Sequence, residues 1–253
     1  MPAIALPGLT MHFEKAGQGH PLLLIAGALG TGAGDFPGQI GWFAERGFEV
    51  IAPDPRGYGR SRPPERDYPP DFYHRDAADM FALMSALGHQ RFSIIGWSDG
   101  GNVAVIMATE RPERVASLVV FGGQSLLTAE EITAFNNIRK ISAWSPRAAE
   151  AMRAIYGEAL DDLWDRYVAG QEALFNAGGD LYRPLLKKVR CPTFVLHGAK
   201  DPLTPGLHAE AIHRAIAGSR LHIFPEGKHN IHIRYADEFN RLVYAFLTEP
   251  DRS

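Results

Sequence analysis

The chain of 253 residues is long enough to bury one large core, and 45% of its residues are hydrophobic. A formal net charge of −3 and a pI near 6.4 give no electrostatic case for binding nucleic acid. The single cysteine, Cys191, excludes an internal disulfide bond and favours a reducing compartment. No signal-peptide pattern begins the chain, and no run approaches the roughly 18 apolar residues of a membrane span. We therefore expect a cytoplasmic protein that binds neither nucleic acid nor membrane, with a monomer as the simplest state.

Short, nearly continuous apolar runs predict parallel strands, because strands covered on both faces lack polar alternation. These runs are 22–25, 50–52, 92–95, 118–121, 194–196 and 221–224. The segment 11–15 alternates more and predicts an antiparallel edge strand. Helical patterns separate or follow the strands at 72–87, 102–110, 207–217 and 233–247. This alternation predicts an α/β fold with a mostly parallel central sheet flanked by helices.

The alternation stops between residues 124 and 186. Only helix-like runs occur there, at 128–141, 147–156 and 160–175. Thr128, followed by Glu130 and Glu131, is typical of a capped helix start. We interpret 124–186 as a helical cap inserted into a core formed by 1–123 and 187–253. Such a cap would cover the carboxyl ends of the strands, where open α/β sheets bind ligands.

The pentapeptide Gly96-Trp97-Ser98-Asp99-Gly100 lies between a predicted strand and a predicted helix. This G-x-S-x-G pattern in that context is typical of a nucleophile elbow, in which a sharp turn exposes a serine hydroxyl. Glycines are needed on both sides because a β-carbon would clash in the turn. Ser98 is therefore the candidate nucleophile.

A serine hydroxyl needs a base to take its proton, and the base needs an orienting group. Asp201 follows the strand 194–196, and His229 follows the strand 221–224. The order serine, acid, histidine is the one that this kind of elbow requires. We predict a catalytic triad of Ser98, Asp201 and His229.

An oxyanion hole should complete the site. One donor is predicted to be the backbone N–H of Asp99, and the second that of Ala28, with the neighbouring Leu29 as the alternative. The glycine-rich run 27–34 lacks G-x-G-x-x-G spacing, which argues against a dinucleotide site. The pairs His208 and His213, and His229 and His232, form no convincing metal set. We predict neither cofactor nor metal.

Asp99 places a carboxylate beside the nucleophile, where it opposes the developing oxyanion. A substrate ammonium group would compensate for this charge, with an attraction of about 4 kcal/mol at 4 Å and an effective dielectric of 20. Two structural roles for the carboxylate stay open beside this one. A carboxylate in the first turn of a helix interacts favourably with the helix dipole, and an internal Arg or Lys could neutralise it.

Residues 54–61, Asp54-Pro55-Arg56-Gly57-Tyr58-Gly59-Arg60-Ser61, and the string His197-Gly198-Ala199-Lys200-Asp201 resemble signatures of the α/β-hydrolase superfamily. More specific strings resemble the biphenyl-hydrolase-like proteins, the family of valacyclovirase. These strings are 54–64, 96–101, 218–222 and 225–230, within a similarity from about 21 to 246 that includes 141–145. Ala26 is a departure, since many hydrolases carry histidine there. The resemblance implies cofactor-free hydrolysis of α-amino-acid esters, with Asp99 binding the substrate ammonium.

Other functions share the same triad. Carbon–carbon bond hydrolysis of aryl dienoates is one, although its acidic substrates fit poorly with Asp99. A lactonase and a cofactor-free haloperoxidase are further alternatives, and a non-catalytic ligand receptor on a hydrolase scaffold is a different class. The expected partner is a small-molecule ester.

Overall fold

A computed structural model describes residues 2–249, and its eight strands form one sheet. The strands are β1 (Ala3–Leu6), β2 (Leu9–Ala16), β3 (His20–Ile25), β4 (Phe48–Pro53), β5 (Phe92–Trp97), β6 (Val115–Phe121), β7 (Thr193–Gly198) and β8 (Arg220–Phe224). Their order is β1-β2-β4-β3-β5-β6-β7-β8, and every pair from β4 to β8 is parallel. The predicted mostly parallel sheet is confirmed.

The strand predicted at 11–15 is antiparallel as expected, but its edge position is wrong. β2 pairs with β4 on one side and with the short β1 on the other. β1 and β2 are joined by a tight turn containing Gly8, which has φ +69°. This hairpin places β1 at the edge of the sheet.

Ten α-helices between residues 2 and 249 accompany the sheet. They are α1 (Gly32–Asp35), α2 (Ile40–Ala44), α3 (Phe72–Ala86), α4 (Asp99–Glu110), α5 (Ala129–Asn137), α6 (Pro146–Tyr156), α7 (Leu160–Asn176), α8 (Gly206–Ala215), α9 (Ile231–Arg234) and α10 (Ala236–Leu247). The prediction of one helix over 233–247 is wrong, because Tyr235 leaves the helical region with φ −118° and ψ 41°. Its ring packs against Phe224 of β8, at 5.4 Å between centroids, which holds this residue between two helices.

Both faces of the sheet are buried, as the continuous apolar runs predict. Along β3, Leu22 and Leu24 belong to one core cluster, whereas Leu23 and Ile25 belong to another. Side chains of α3, α4 and α8 cover one face, and those of α2 and α10 cover the other. The alternation follows from the two-residue period of a strand.

The segment 124–186 lies between β6 and β7 and contains α5, α6 and α7. Thr128 and Glu131 form a capping box, and α5 ends at Asn137, so the helix predicted to reach residue 141 is shorter. A third apolar cluster packs these helices against Leu29 and Tyr58 of the core. This packing supports our proposal that 124–186 acts as a cap.

No helix within residues 2–249 combines the length and apolar character needed to cross a membrane.

Candidate active site

Ser98 occupies the sharp turn between β5 and α4. Its backbone has φ +56° and ψ −124°, a conformation that costs energy in a residue with a β-carbon. The glycines of the pentapeptide make the turn possible. A β-carbon on Gly96 would lie 2.3 Å from the carbonyl oxygen of Gly100. The strand–turn–helix context predicted for the elbow is confirmed.

The structure brings the three predicted triad residues together. His229 Nε2 lies 3.0 Å from Ser98 Oγ, and His229 Nδ1 lies 2.8 Å from Asp201 Oδ2. Both distances are within hydrogen-bond range for a nucleophile, a base and its orienting acid. The indole N–H of Trp97 donates to the carbonyl oxygen of His229 at 3.0 Å, which fixes the histidine loop beside the elbow.

Asp201 is held by its own loop. Its Oδ1 accepts hydrogen bonds from the backbone N–H groups of Leu203 and Thr204, at 2.9 and 3.0 Å. Burial works to raise the pKa of Asp201, but the hydrogen bonds from His229 and from these two amides outweigh it and lower the pKa. Asp201 is therefore ionised at neutral pH, which its predicted role as the orienting acid requires.

The loop after β3 lies against Ser98. A β-carbon on Gly27 would be 3.2 Å from Ser98 Cβ, so Ala28 and Leu29 follow directly beside the serine. The N–H of Gly30 donates to the carbonyl oxygen of Gly27 at 3.1 Å, which closes a four-residue turn. The N–H of Asp99 belongs to the first turn of α4, where backbone donors are unused by the helix. The predicted oxyanion donors thus lie on the two segments that flank Ser98.

Asp99 is buried, with 7% of its surface exposed, in a polar environment that reaches into the segment 124–186. Its Oδ1 accepts hydrogen bonds from the hydroxyls of Tyr73 and Tyr167, at 2.7 and 3.1 Å. Gln171 donates to the Tyr73 hydroxyl at 3.0 Å. Burial raises the pKa of Asp99 to about 6, against the opposing effect of the Tyr73 hydrogen bond. Asp99 Oδ2 has no hydrogen-bond partner among the residues described.

Arg66 is the internal cation whose charge lowers the pKa of Asp99. Its guanidinium forms two hydrogen bonds with Asp76, at 2.7 and 2.6 Å, and so already has a buried counter-ion. Arg66 and Asp99 both line a cavity of about 10 Å³, which suits one water-sized group. No hydrogen bond joins the two side chains in the described part of the chain, so Arg66 acts on Asp99 through its charge alone.

Several residues of this environment are not predicted by the sequence analysis. Tyr73 lies in a helix that was predicted correctly, but nothing in its spacing indicates a partner at position 99. Tyr167 and Gln171 are one helical turn apart on α7 and are both buried, which places two polar side chains on an inward face. Polar residues repeated on the apolar face of a helix are the signal that could have identified them.

No group of three or more His, Cys, Asp or Glu side chains within residues 2–249 is arranged to hold a metal ion. Cys191 is buried, and burial raises the pKa of its thiol to about 11. Its thiolate is therefore not available as a nucleophile at neutral pH.

Comparisons with known proteins agree with this geometry. A family model for the alpha/beta hydrolase fold matches residues 20–154. The chain is 43% identical over 247 residues to human serine hydrolase BPHL, covering 96% of this chain and 85% of that protein. It is 30% identical over 276 residues to 2-hydroxymuconate semialdehyde hydrolase from Pseudomonas putida, covering 98% and 94%. A solved meta-cleavage product hydrolase from Pseudomonas fluorescens has the same fold, with a TM-score of 0.83 at 23% identity and coverage of 99% and 98%.

The family model covers more than half of the chain, and the similarity to the human relative extends over nearly all of it. Ser98 stands at the elbow in hydrogen-bond contact with His229. The chain therefore belongs to the α/β-hydrolase family and, within it, to the biphenyl-hydrolase-like serine hydrolases.

Proposed function

We propose that this serine hydrolase cleaves esters of α-amino acids and that Asp99 binds the ammonium group of the substrate. The observation that carries the proposal is the unpartnered Oδ2 of a buried carboxylate directly after the nucleophile. A buried carboxylate oxygen without a donor is costly, and an ammonium group supplies both the donor and the opposite charge. The helix dipole accounts for a charge at this position but leaves this oxygen without a donor.

Acylation begins when His229 Nε2 takes the proton of Ser98 and the serine oxygen attacks the ester carbonyl carbon. Asp201 holds Nδ1 of His229 protonated and stabilises the imidazolium. The carbonyl oxygen becomes an oxyanion, which the backbone N–H of Asp99 and that of Ala28 or Leu29 stabilise. His229 then gives this proton to the ester oxygen as the bond between that oxygen and the carbonyl carbon breaks, so the alcohol leaves and the acyl-enzyme remains.

Deacylation repeats these steps with water. His229 takes a proton from the water molecule as it attacks the acyl carbon, and a second oxyanion forms in the same hole. Collapse of this intermediate breaks the bond to Ser98 Oγ, which regains its proton from His229. The free amino acid leaves, and the ammonium of the substrate stays paired with Asp99 until then.

The test is a panel of matched esters that differ only in the amine. Each α-amino ester is compared with its N-acetyl and its des-amino counterpart, for the native enzyme and for Asp99→Asn. Asparagine keeps the backbone N–H and the shape but removes the charge. We expect the native enzyme to prefer the free amine about 100-fold or more in kcat/KM. A 100-fold preference corresponds to about 2.8 kcal/mol, which is less than the attraction of about 4 kcal/mol between two charges about 4 Å apart.

Asp99→Asn should reduce turnover of the amino esters to the level of the des-amino esters, which it should hydrolyse at nearly the native rate. Equal losses on both ester classes would contradict an ammonium site at Asp99. Including a dienoate tests carbon–carbon bond hydrolysis, the alternative that shares this triad; some relatives are named as dienoate hydrolases. A negatively charged dienoate should be a poor substrate because it would face the charge of Asp99.

A serine-directed phosphonate separates enzymes from non-catalytic receptors. We expect stoichiometric labelling of Ser98 and a burst of alcohol from an amino-acid p-nitrophenyl ester. Absence of both labelling and turnover would favour a ligand receptor on this scaffold.

A further inference from the structure

We propose that Tyr156, on helix α6 of the segment 124–186, is a positioning residue that locks the oxyanion loop of the core. The inference rests on the acyl-transfer chemistry of the proposed function but not on its preference for amines. Tyr156 lies far along the chain from the triad and contacts the loop 27–30 through its hydroxyl group.

Strain in the backbone points to this loop. Within residues 2–249, positive φ angles occur at two residues other than glycine, Ser98 at +56° and Leu29 at +60°. Such conformations persist where the surroundings enforce them, and they concentrate at functional sites. Ser98 is enforced by the elbow. Leu29 needs a different cause, because it stands in a loop outside the strands and helices.

The strained residue determines the geometry of the turn. In the turn Gly27-Ala28-Leu29-Gly30, closed by the hydrogen bond from Gly30 N–H to Gly27 O, Leu29 is the third residue. A positive φ at that position alone defines a type II turn, which normally requires glycine there. The commoner type I turn would rotate the peptide between Ala28 and Leu29 by about 180°. That rotation would redirect the Leu29 N–H and disturb the Ala28 N–H next to it.

Tyr156 holds the turn in its strained form. Its hydroxyl donates to the carbonyl oxygen of Leu29 at 2.7 Å and accepts a hydrogen bond from the N–H of Gly59 at 3.1 Å. The carbonyl oxygen of Leu29 can only accept, so the single phenol proton points to it, and the N–H of Gly59 fixes the hydroxyl oxygen from another side. Arg62 lies over the Tyr156 ring, with its guanidinium carbon 4.8 Å from the ring centroid, and restrains the ring.

The core holds the beginning of the same loop. The N–H of Gly27 donates to Asp35 Oδ2 at 3.0 Å, and a β-carbon on Gly30 would be 1.9 Å from that oxygen. Asp35 therefore fixes one end of the turn, whereas Tyr156 fixes the carbonyl of its strained residue. Because Tyr156 comes from the inserted segment, the oxyanion donors are fully ordered only when this segment is docked on the core.

The test is Tyr156→Phe, which removes one oxygen atom and keeps the ring. We expect kcat to fall about 10-fold or more with KM within about twofold, equally for amino and des-amino esters. We also expect a boronic acid, which forms a tetrahedral adduct with Ser98, to bind about 10-fold more weakly. Tyr182→Phe is the matched control. It removes another buried hydroxyl, which donates to Asn102 Oδ1 at 3.1 Å and does not contact the loop 27–30. This variant should leave kcat unchanged.

Arg62→Gln is a second variant that leaves Tyr156 in place but frees its ring, and we expect a smaller loss of the same kind. The proposal would be overturned if Tyr156→Phe and Arg62→Gln both lowered the melting temperature but left kcat and the affinity for the boronic acid unchanged. Tyr156 would then have a purely structural role. A loss confined to amino esters would also overturn the proposal. By contrast, equal turnover of both ester classes by the native enzyme would contradict the ammonium site alone.

Discussion

The hydroxyl of Tyr73 donates to Asp99 Oδ1 at 2.7 Å, the shorter of the two hydrogen bonds that this buried carboxylate accepts. The bond stabilises the charged form of Asp99, so the change Tyr73→Phe should raise the pKa of that carboxyl further. A hydrogen bond to a charged group contributes about 1.5–3 kcal/mol. We expect KM for an α-amino ester to rise about 10-fold at neutral pH, measured by steady-state kinetics.

The des-amino ester is the control for the change Tyr73→Phe. Its kcat and KM should stay within about twofold of the native values, since the triad and the oxyanion donors are untouched. A similar rise in KM for both esters would indicate a general disturbance of the site rather than a weaker Asp99.

The proposed preference for amino esters should depend on pH because burial raises the pKa of Asp99 to about 6. Below that pH the carboxyl is protonated and neutral, so it should lose the attraction for a substrate ammonium on which the proposal rests. Above about 7.7 an α-amino group itself loses its proton. The ratio of kcat/KM for amino and des-amino esters should therefore be largest between these values and fall on both sides.

Taking the ratio of the two esters cancels pH effects on the acyl-transfer steps, because both esters go through the same steps. In Asp99→Asn the acidic side of this profile should become flat. An unchanged acidic fall in that variant would assign the pH dependence to another group.

The sequence predicted those parts of the molecule that follow from local patterns. Short apolar runs predict buried strands. The residues that follow the carboxyl ends of parallel strands lie together at one edge of the sheet. Ser98, Asp201 and His229 could be assembled in this way, although 131 residues separate Ser98 from His229. The break at Tyr235 was missed because it depends on packing against Phe224 rather than on a helix-breaking residue.

The remaining parts of the site depend on tertiary contacts that leave no local pattern. Leu29 adopts a conformation that its own residue type disfavours, so sequence propensity predicts the wrong turn there. Tyr156 and Tyr73 are ordinary aromatic residues of amphipathic helices, and their hydroxyl partners become visible only when the helices are placed on the core. The argument that an internal cation does not already neutralise Asp99 likewise depends on the position of Arg66 and its pairing with Asp76, which the sequence does not reveal.

Asp201→Asn should abolish most of the activity by changing the tautomer of His229. Oδ1 of residue 201 accepts hydrogen bonds from two backbone N–H groups, which would keep the oxygen of the asparagine there. The NH₂ group would then point at His229 Nδ1, so Nδ1 must accept and Nε2 must carry the proton. Such a histidine cannot take the proton of Ser98, and we expect kcat to fall about 10⁴-fold with little change in KM.

A serine-directed phosphonate provides the check on that variant. Labelling of Ser98 should slow in parallel with kcat, whereas a thermal melt should show a folded protein. Rapid labelling in Asp201→Asn would mean that His229 still activates the serine without its acid.

The buried ion pair of Arg66 and Asp76, which lies next to the candidate site, should contribute to the stability of the folded protein. Both side chains are buried and joined by two hydrogen bonds, and Arg66 also donates to the carbonyl oxygen of Arg56 at 3.1 Å. Arg66→Met would leave Asp76 as a buried charge without a counter-ion, which typically costs about 3–5 kcal/mol. We expect a loss of about that size in the free energy of unfolding measured with urea. The double variant Arg66→Met/Asp76→Leu should recover much of this loss, because it also removes the charge that Arg66→Met leaves uncompensated. If the double variant is as unstable as Arg66→Met alone, the loss comes from packing instead.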